Sequence, residues 1–167
     1  MDAEPAATAG PEPEPDADAD GARVVVGVDD SEQAAAALRW ALAEGALRGV
    51  PVEVVHSWSP PMSALPFGAT LVVPVDEPAI DAAARQHLDQ VVAAALAEMD
   101  GPAPDVQLTV LPGAPAMTLI EVSETADLLV VGSHGRTGLS KLVLGSVALS
   151  CVHHAHCPVV VVRSPAD

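Results

Sequence analysis

Val130-Val131-Gly132-Ser133-His134-Gly135-Arg136-Thr137-Gly138-Leu139-Ser140-Lys141-Leu142-Val143-Leu144-Gly145-Ser146-Val147 is the stretch on which the reading of this chain turns. The apolar run from Leu128 to Val131 has the length of a short buried strand and stops at Gly132. Gly132, Gly135 and Gly138 follow beside Ser133 and Thr137, and Leu139, Leu142 and Val143 then resume an apolar pattern at helical spacing. Strand, glycine loop and helix start together present backbone N–H groups to an anion. The first N–H groups of a helix lack internal partners, and the helix dipole places roughly half a positive charge there. Glycine permits positive φ and lets a phosphate approach with no Cβ in the way. The loop reads as a phosphate site.

Its spacing narrows the kind. No Gly-Lys-Ser/Thr follows at P-loop distance. Gly132, Gly135 and Gly138 form G-x-x-G-x-x-G, whereas the dinucleotide fingerprint is G-x-G-x-x-G and comes early in its chain. The pattern that fits is Gly-x2-Gly-x9-Gly-Ser, filled by Gly132, Gly135, Gly145 and Ser146. Two further stretches share its wording and order: Val24-Val25-Val26-Gly27-Val28-Asp29-Asp30-Ser31 near the start, and Cys157-Pro158-Val159-Val160-Val161-Val162-Arg163 near the end. Over about residues 22 to 164 the chain resembles the ATP-binding branch of the universal stress protein family.

A length of 167 residues allows one domain with a sizeable core. Half of the residues are apolar, mostly Ala, Val and Leu, which suits a buried sheet under alanine-rich helices. No apolar run approaches the ~20 residues a spanning helix needs, and the acidic N-terminus lacks the apolar segment of a signal peptide. Cys151 and Cys157 make no disulfide framework, so a reducing, cytoplasmic setting is expected. Residues 1–21 hold Asp2, Glu4, Glu12, Glu14, Asp16, Asp18 and Asp20 with no base in the first twenty positions; they read as a disordered acidic tail. Removing those seven acids from the net charge of −16 leaves −9 on the body, the opposite of the basic stripe that nucleic acid requires.

Along the body, Val24–Val28 is a continuous apolar strand with Asp29 and Asp30 at its carboxyl end, and Ser31 suits an N-cap. Ala34, Ala37, Leu38, Ala41 and Leu42 stripe the helix that follows, which ends near Gly49-Val50-Pro51. Pro51 to Trp58 reads as a second strand, and the proline-rich residues 59 to 77 as a long irregular segment. Ile80, Ala84, His87, Leu88, Val91, Val92, Ala95, Leu96 and Met99 trace a long amphipathic helix stopped by Asp100-Gly101-Pro102. Val106, Leu108 and Val110 alternate in a third strand; a short helix then runs from Pro115 to about Thr125. The glycine-loop strand, a helix to about His154 and the strand Val159 to Arg163 complete the domain at residues 22–164. Alternating strands and helices demand parallel pairing, hence a three-layer α/β/α sandwich on a five-stranded parallel sheet, Rossmann-like in kind. The order 3-2-1-4-5, and pairing of the last strand with its twin in a homodimer, are implied by the resemblance.

The functional expectations fall on the same loop. The N–H groups of His134, Gly135 and the Gly145-Ser146-Val147-Ala148 helix start would take phosphates, with the Ser146 hydroxyl as an extra donor and Arg136 and Lys141 as balancing charge. The resemblance implies that Gly132, after Val131, lies near a ribose. It also implies that Asp29 reaches the ribose or metal end of the nucleotide, and that Gly27 and Val28 line an adenine pocket. Ser57 matches a position whose backbone recognises adenine. The implied cofactor is ATP with Mg²⁺, and the implied role a nucleotide-responsive stress or signalling module. There ATP orders the loop, and with it the 59–77 segment, to alter the surface offered to a protein partner. Alternatives from other classes are a slow ATPase or phosphotransfer enzyme at the same site, a cyclic-nucleotide or AMP binder, and a nucleotide-free dimeric interaction module. No wording for an in-line catalytic base is present, so no catalytic residue is assigned. Cys151, His153, His154, His156 and Cys157 are zinc-ligand types, but they come as one cluster without a second ligand pair and are read as helix-end residues, with no metal assigned.

Overall fold

The computed structural model describes residues 22–59, 62–64, 70–72, 76–135 and 143–164. The acidic tail, Arg136, Gly138 and Lys141 lie outside the described residues. The valine runs become parallel strands: β1 (Val24–Gly27) is flanked by β2 (Val52–Trp58) and β6 (Leu128–Gly132), with β5 (Val106–Pro112) outside β2 and β7 (Val159–Val162) outside β6. In sheet order this is 3-2-1-4-5, as the resemblance implied. Period-two alternation sends successive valines to opposite faces. Val24, Val26, Val52, Val54 and Val130 pack under α1 (Glu32–Arg48) and α2 (Glu77–Ala97). Val25, Val55, Leu129 and Val131 pack under α3 (Pro115–Val122) and α4 (Ser146–His154). Both faces are covered, which is why the strands read as unbroken apolar runs. Leu38 and Leu42 on α1 and Leu88 on α2 are almost wholly buried, each worth roughly 1.5–3 kcal/mol on the upper-bound scale for a leucine removed from water.

The helix ends follow local chemistry. Ser31 caps α1, its Oγ accepting from Ala34 N at 3.1 Å, and Gly49 closes the helix in the left-handed region at φ 68°. Asp76 caps α2 by accepting from Ala79 N at 3.2 Å. Within α1, Gly45 is where the helix touches the sheet: a Cβ there would lie 2.3 Å from Val52 Cγ2.

Two expectations need correction. The 59–77 segment is not wholly irregular: β3 (Met62–Ala64) and β4 (Thr70–Val72) pair antiparallel within it, separate from the main sheet. Proline content concealed them, because each is only three residues long and falls between the prolines. Val143 does not belong to a helix either. It is exposed in a bend, and α4 begins three residues later at Ser146, once Gly145 has turned the chain back over the loop. Among the described residues, no helix is long and apolar enough to cross a membrane.

Candidate functional site

In open parallel sheets a ligand crevice forms at the carboxyl ends of the strands, where the strand order reverses. Here the chain runs outward from β1 to β2 and β5, then returns to place β6 on the other side of β1. A cavity of about 820 Å³ opens at that reversal. Gly27, Val28, Asp29, Ser57, Val131, Gly132, His134, Gly135, Gly145, Ser146, Val147 and Ala148 all line it. Arg136 completes the sequence-predicted set and lies outside the described residues.

Steric room, not backbone conformation, explains the glycines. Among the described residues positive φ occurs at Gly49, Gly101 and Gly113, so the loop glycines Gly132, Gly135 and Gly145 have ordinary φ, contrary to the positive values expected of such a cradle. What they share is crowding. A Cβ on Gly132 would lie 2.9 Å from the Gln33 carbonyl carbon and 3.0 Å from Ala34 N, in the first turn of α1. One on Gly135 would lie 2.8 Å from Asp29 Oδ2, and one on Gly145 3.2 Å from His134 Cα. The absent side chains let the β6 loop close against the β1–α1 turn and let α4 begin over that loop.

Of the helices that start at the cavity, α1 and α4 flank the glycine loop, and their starts differ. Ser31 closes the N-terminus of α1. The N-cap of α4 is Gly145, which offers no side chain to its first N–H groups. The helix ladder begins with Leu149 N bonding to Gly145 O at 2.9 Å, which leaves Ser146, Val147 and Ala148 as the donors without an intrahelical partner. Gly145 N itself bonds to Ser133 O at 2.8 Å, aiming this open end at the cavity. Positive potential from the helix start and a wall free of Cβ atoms suit a phosphate or carboxylate.

Side chains around this opening are tied into it. Asp29 Oδ1 accepts from Ser31 N at 3.0 Å and from the Ser31 hydroxyl, so Asp29 braces the β1–α1 turn while Oδ2 faces Gly135. The Ser31 hydroxyl also reaches His134 O at 3.4 Å. His56 Nδ1 lies 2.9 Å from Val28 O, holding the end of β1 to β2. Trp58 donates Nε1–H to Asp81 Oδ1 at 2.6 Å, and His87 Nε2 sits 2.8 Å from Asp30 Oδ1. These two contacts fasten α2 beside the mouth.

Sequence reasoning missed Trp58, Pro115 and Leu119, which close the side of the cavity beneath β2 and α3. A usable signal existed. Trp58 ends β2, and Pro115 opens the helix after β5, so both belong to the strand ends where crevices form. The cysteine–histidine cluster disperses instead of converging. Cys151 is buried under the sheet, His153 and His154 are exposed, and His156 lies 3.8 Å from Glu124. Among the described residues no group of three His, Cys, Asp or Glu side chains is placed to hold a metal ion.

Comparisons with known proteins agree with this architecture. The model of the "Universal stress protein family" matches residues 22–163. A universal stress protein of Mycolicibacterium smegmatis is 37% identical over 143 residues, covering 84% of this chain and 47% of the relative. The chain thus spans about half the length of the curated relatives it matches. The universal stress protein UspA from Lactobacillus plantarum superposes with a TM-score of 0.67 at 21% identity, over 85% of this chain and 97% of that one. A universal stress protein in complex with cAMP gives 0.59 at 24% identity, over 85% and 96%. The universal stress protein from Archaeoglobus fulgidus in complex with dAMP gives 0.57 at 28% identity, over 84% and 97%. With family model, relatives and sheet order in agreement, the chain belongs to the universal stress protein family.

Proposed function

We propose that this chain binds ATP, accompanied by Mg²⁺, in the cavity at the carboxyl end of the sheet, and that it acts as a dimeric, nucleotide-responsive stress or signalling module. The observation that carries the reading is the uncapped start of α4 aimed across Gly132, Gly135 and Gly145 into that cavity. Phosphates fit there because backbone donors and absent Cβ atoms come together. The apolar lining residues Val28, Val55 and Leu119 suit a purine face, and Ser57 lines the same cavity. Mg²⁺ enters most simply on the oxygens of the triphosphate.

Binding is favoured over turnover. Asp29 has one carboxylate oxygen engaged by Ser31, and His134 has Nδ1 beside Ser133 Oγ. Both serve as braces of the loop, and hydrolysis would need one of them in line with an attacking water. For the dimer, β7 forms the outer edge of the main sheet with half-buried valines, a template for pairing with a second copy.

Native mass spectrometry of freshly purified protein in Mg-ATP tests oligomer and ligand together. The expected spectrum is a dimer with one ATP-sized adduct per chain. A bare species that gains no adduct would sink the nucleotide reading and promote the interaction module. A monophosphate is the second reading, favoured by the dAMP complex of the Archaeoglobus relative. Displacement of bound ATP by equimolar AMP would establish it.

A further inference from the structure

Among the described residues, one polar atom of the cavity-lining side chains is buried without a partner. His134 Nδ1 lies 3.1 Å from the hydroxyl of Ser133, itself only 3% exposed. The other ring nitrogen, Nε2, is buried and has no hydrogen-bond partner among the described residues. A buried polar atom left so is costly, and functional sites are where such costs are tolerated. The His134 backbone is held from two sides. His134 O is reached by the Ser31 hydroxyl at 3.4 Å, and Gly145 closes to within 3.2 Å of His134 Cα, measured from the Cβ position that glycine leaves empty.

We propose that the His134 imidazole is a specificity-determining contact that distinguishes phosphorylated from unphosphorylated nucleosides, with Nε2–H donating to an anionic oxygen of the bound phosphate chain. The inference rests on the nucleotide reading above and adds to it the His134 side chain, where only that residue's backbone N–H was expected to meet phosphate. Three observations set the ligand chemistry. The Ser133 hydroxyl lies where it can donate to Nδ1, and in the tautomer that this contact accommodates the ring hydrogen resides on Nε2, so that an anionic ligand meets a donor there. The neighbouring open end of α4 also presents donors, Ser146, Val147 and Ala148, so one anionic group answers both needs. The rest of the described wall near α4, from Val143 to Ala148, carries no charged side chain that would supply the acceptor from within. Asp29, in the β1–α1 turn, has Oδ1 engaged by Ser31 and Oδ2 turned to Gly135.

The test is a ligand series, adenosine, AMP, ADP and ATP, titrated calorimetrically into wild type, His134→Leu and His134→Gln. A charge-assisted hydrogen bond predicts that His134→Leu weakens ATP on the order of tenfold or more while adenosine is unchanged. His134→Gln, which retains an N–H donor, recovers most of that loss. On the wild-type protein, imidazole ¹⁵N spectra should show the His134 Nε2 signal moving with ATP and still with adenosine, a readout that needs no variant to fold. Equal weakening of adenosine and ATP, or an Nε2 signal indifferent to phosphate, overturns the contact while leaving nucleotide binding standing. Failure of wild type to bind any member of the series overturns the nucleotide reading itself, and the contact with it.

Discussion

The two ends of the sheet treat polar atoms in opposite ways. At the amino-terminal end, charged groups answer one another. Arg23 N–H donates to Asp127 Oδ2 at 2.8 Å, its guanidinium contacts the Thr125 hydroxyl, and its Nε lies 3.2 Å from Glu53 Oε2. Thr109 donates its hydroxyl to Glu53 Oε1 at 2.7 Å. Nε is off the hydrogen-bonding angle, but the opposite charge beside it compensates. Strands β1, β2, β5 and the approach to β6 are thereby stapled together. At the carboxyl-terminal end, glycines withhold side chains, α4 begins uncapped and His134 Nε2 has no partner among the described residues. One end is closed by its own groups and the other is held ready for a guest. The stabilising contacts and the candidate site are thus placed about one strand length apart on the same sheet.

The sharpest way to break this contrast is Gly132→Ala. The new methyl meets backbone atoms of Gln33 and Ala34, which cannot swing aside as a side-chain tip would. Unfolding in urea should reveal a loss of roughly 1–3 kcal/mol, with ATP affinity falling too because the loop separates from α1. An unshifted midpoint would show that the loop and α1 are not in close contact.

Glu53→Gln probes the opposite end. It keeps the shape but removes the charge that faces Arg23, so a loss of about 1 kcal/mol is expected. ATP affinity should not change, since the cavity lies at the far end of β2. A variant that loses nucleotide binding while keeping its stability would erase the division between the two ends.

A further effect, seen only at alkaline pH, concerns α4, which starts at the cavity and carries Cys151 into the core. Burial first, and the neighbouring Cys157 second, push the Cys151 thiol up from an ordinary 9.0 to about 11. The folded state therefore keeps its proton where the unfolded chain has released it. Stability that is complete below about pH 9 declines as pH rises toward about 11. Urea midpoints of wild type and Cys151→Ala, followed across that window, should converge as pH rises. Parallel curves would place the thiol in water instead of the core.

Legibility in the sequence followed the range of the interaction that had to be read. Val24–Val28, Ser31 and Gly49 were recoverable because an apolar run, an N-cap and a left-handed C-cap each involve residues a few positions apart. β3 and β4 escaped, since three-residue strands carry too little periodicity to stand out among prolines. The glycine spacing located the site, yet the physical reason for those glycines was half misread. Positive φ is a local property and was expected; crowding by Gln33, Asp29 and His134 is what the fold imposes. Trp58 and Pro115 were signalled only by their places at the end of β2 and after β5, and Leu119 joins the wall from within α3, where no local pattern announces it.

By itself the sequence determined the alternation of strand and helix, the burial of both sheet faces and the position of the glycine loop proposed to bind an anion. Each rests on periodicity or spacing among neighbouring residues. The strand order came through resemblance to a family. Only the tertiary structure decided that Ser31 reaches His134 across 103 positions, that Gly135 faces Asp29 and that one histidine nitrogen is left without a described partner. Those are distances between segments far apart in the chain, and they exist only after the sheet has brought β1 and β6 side by side.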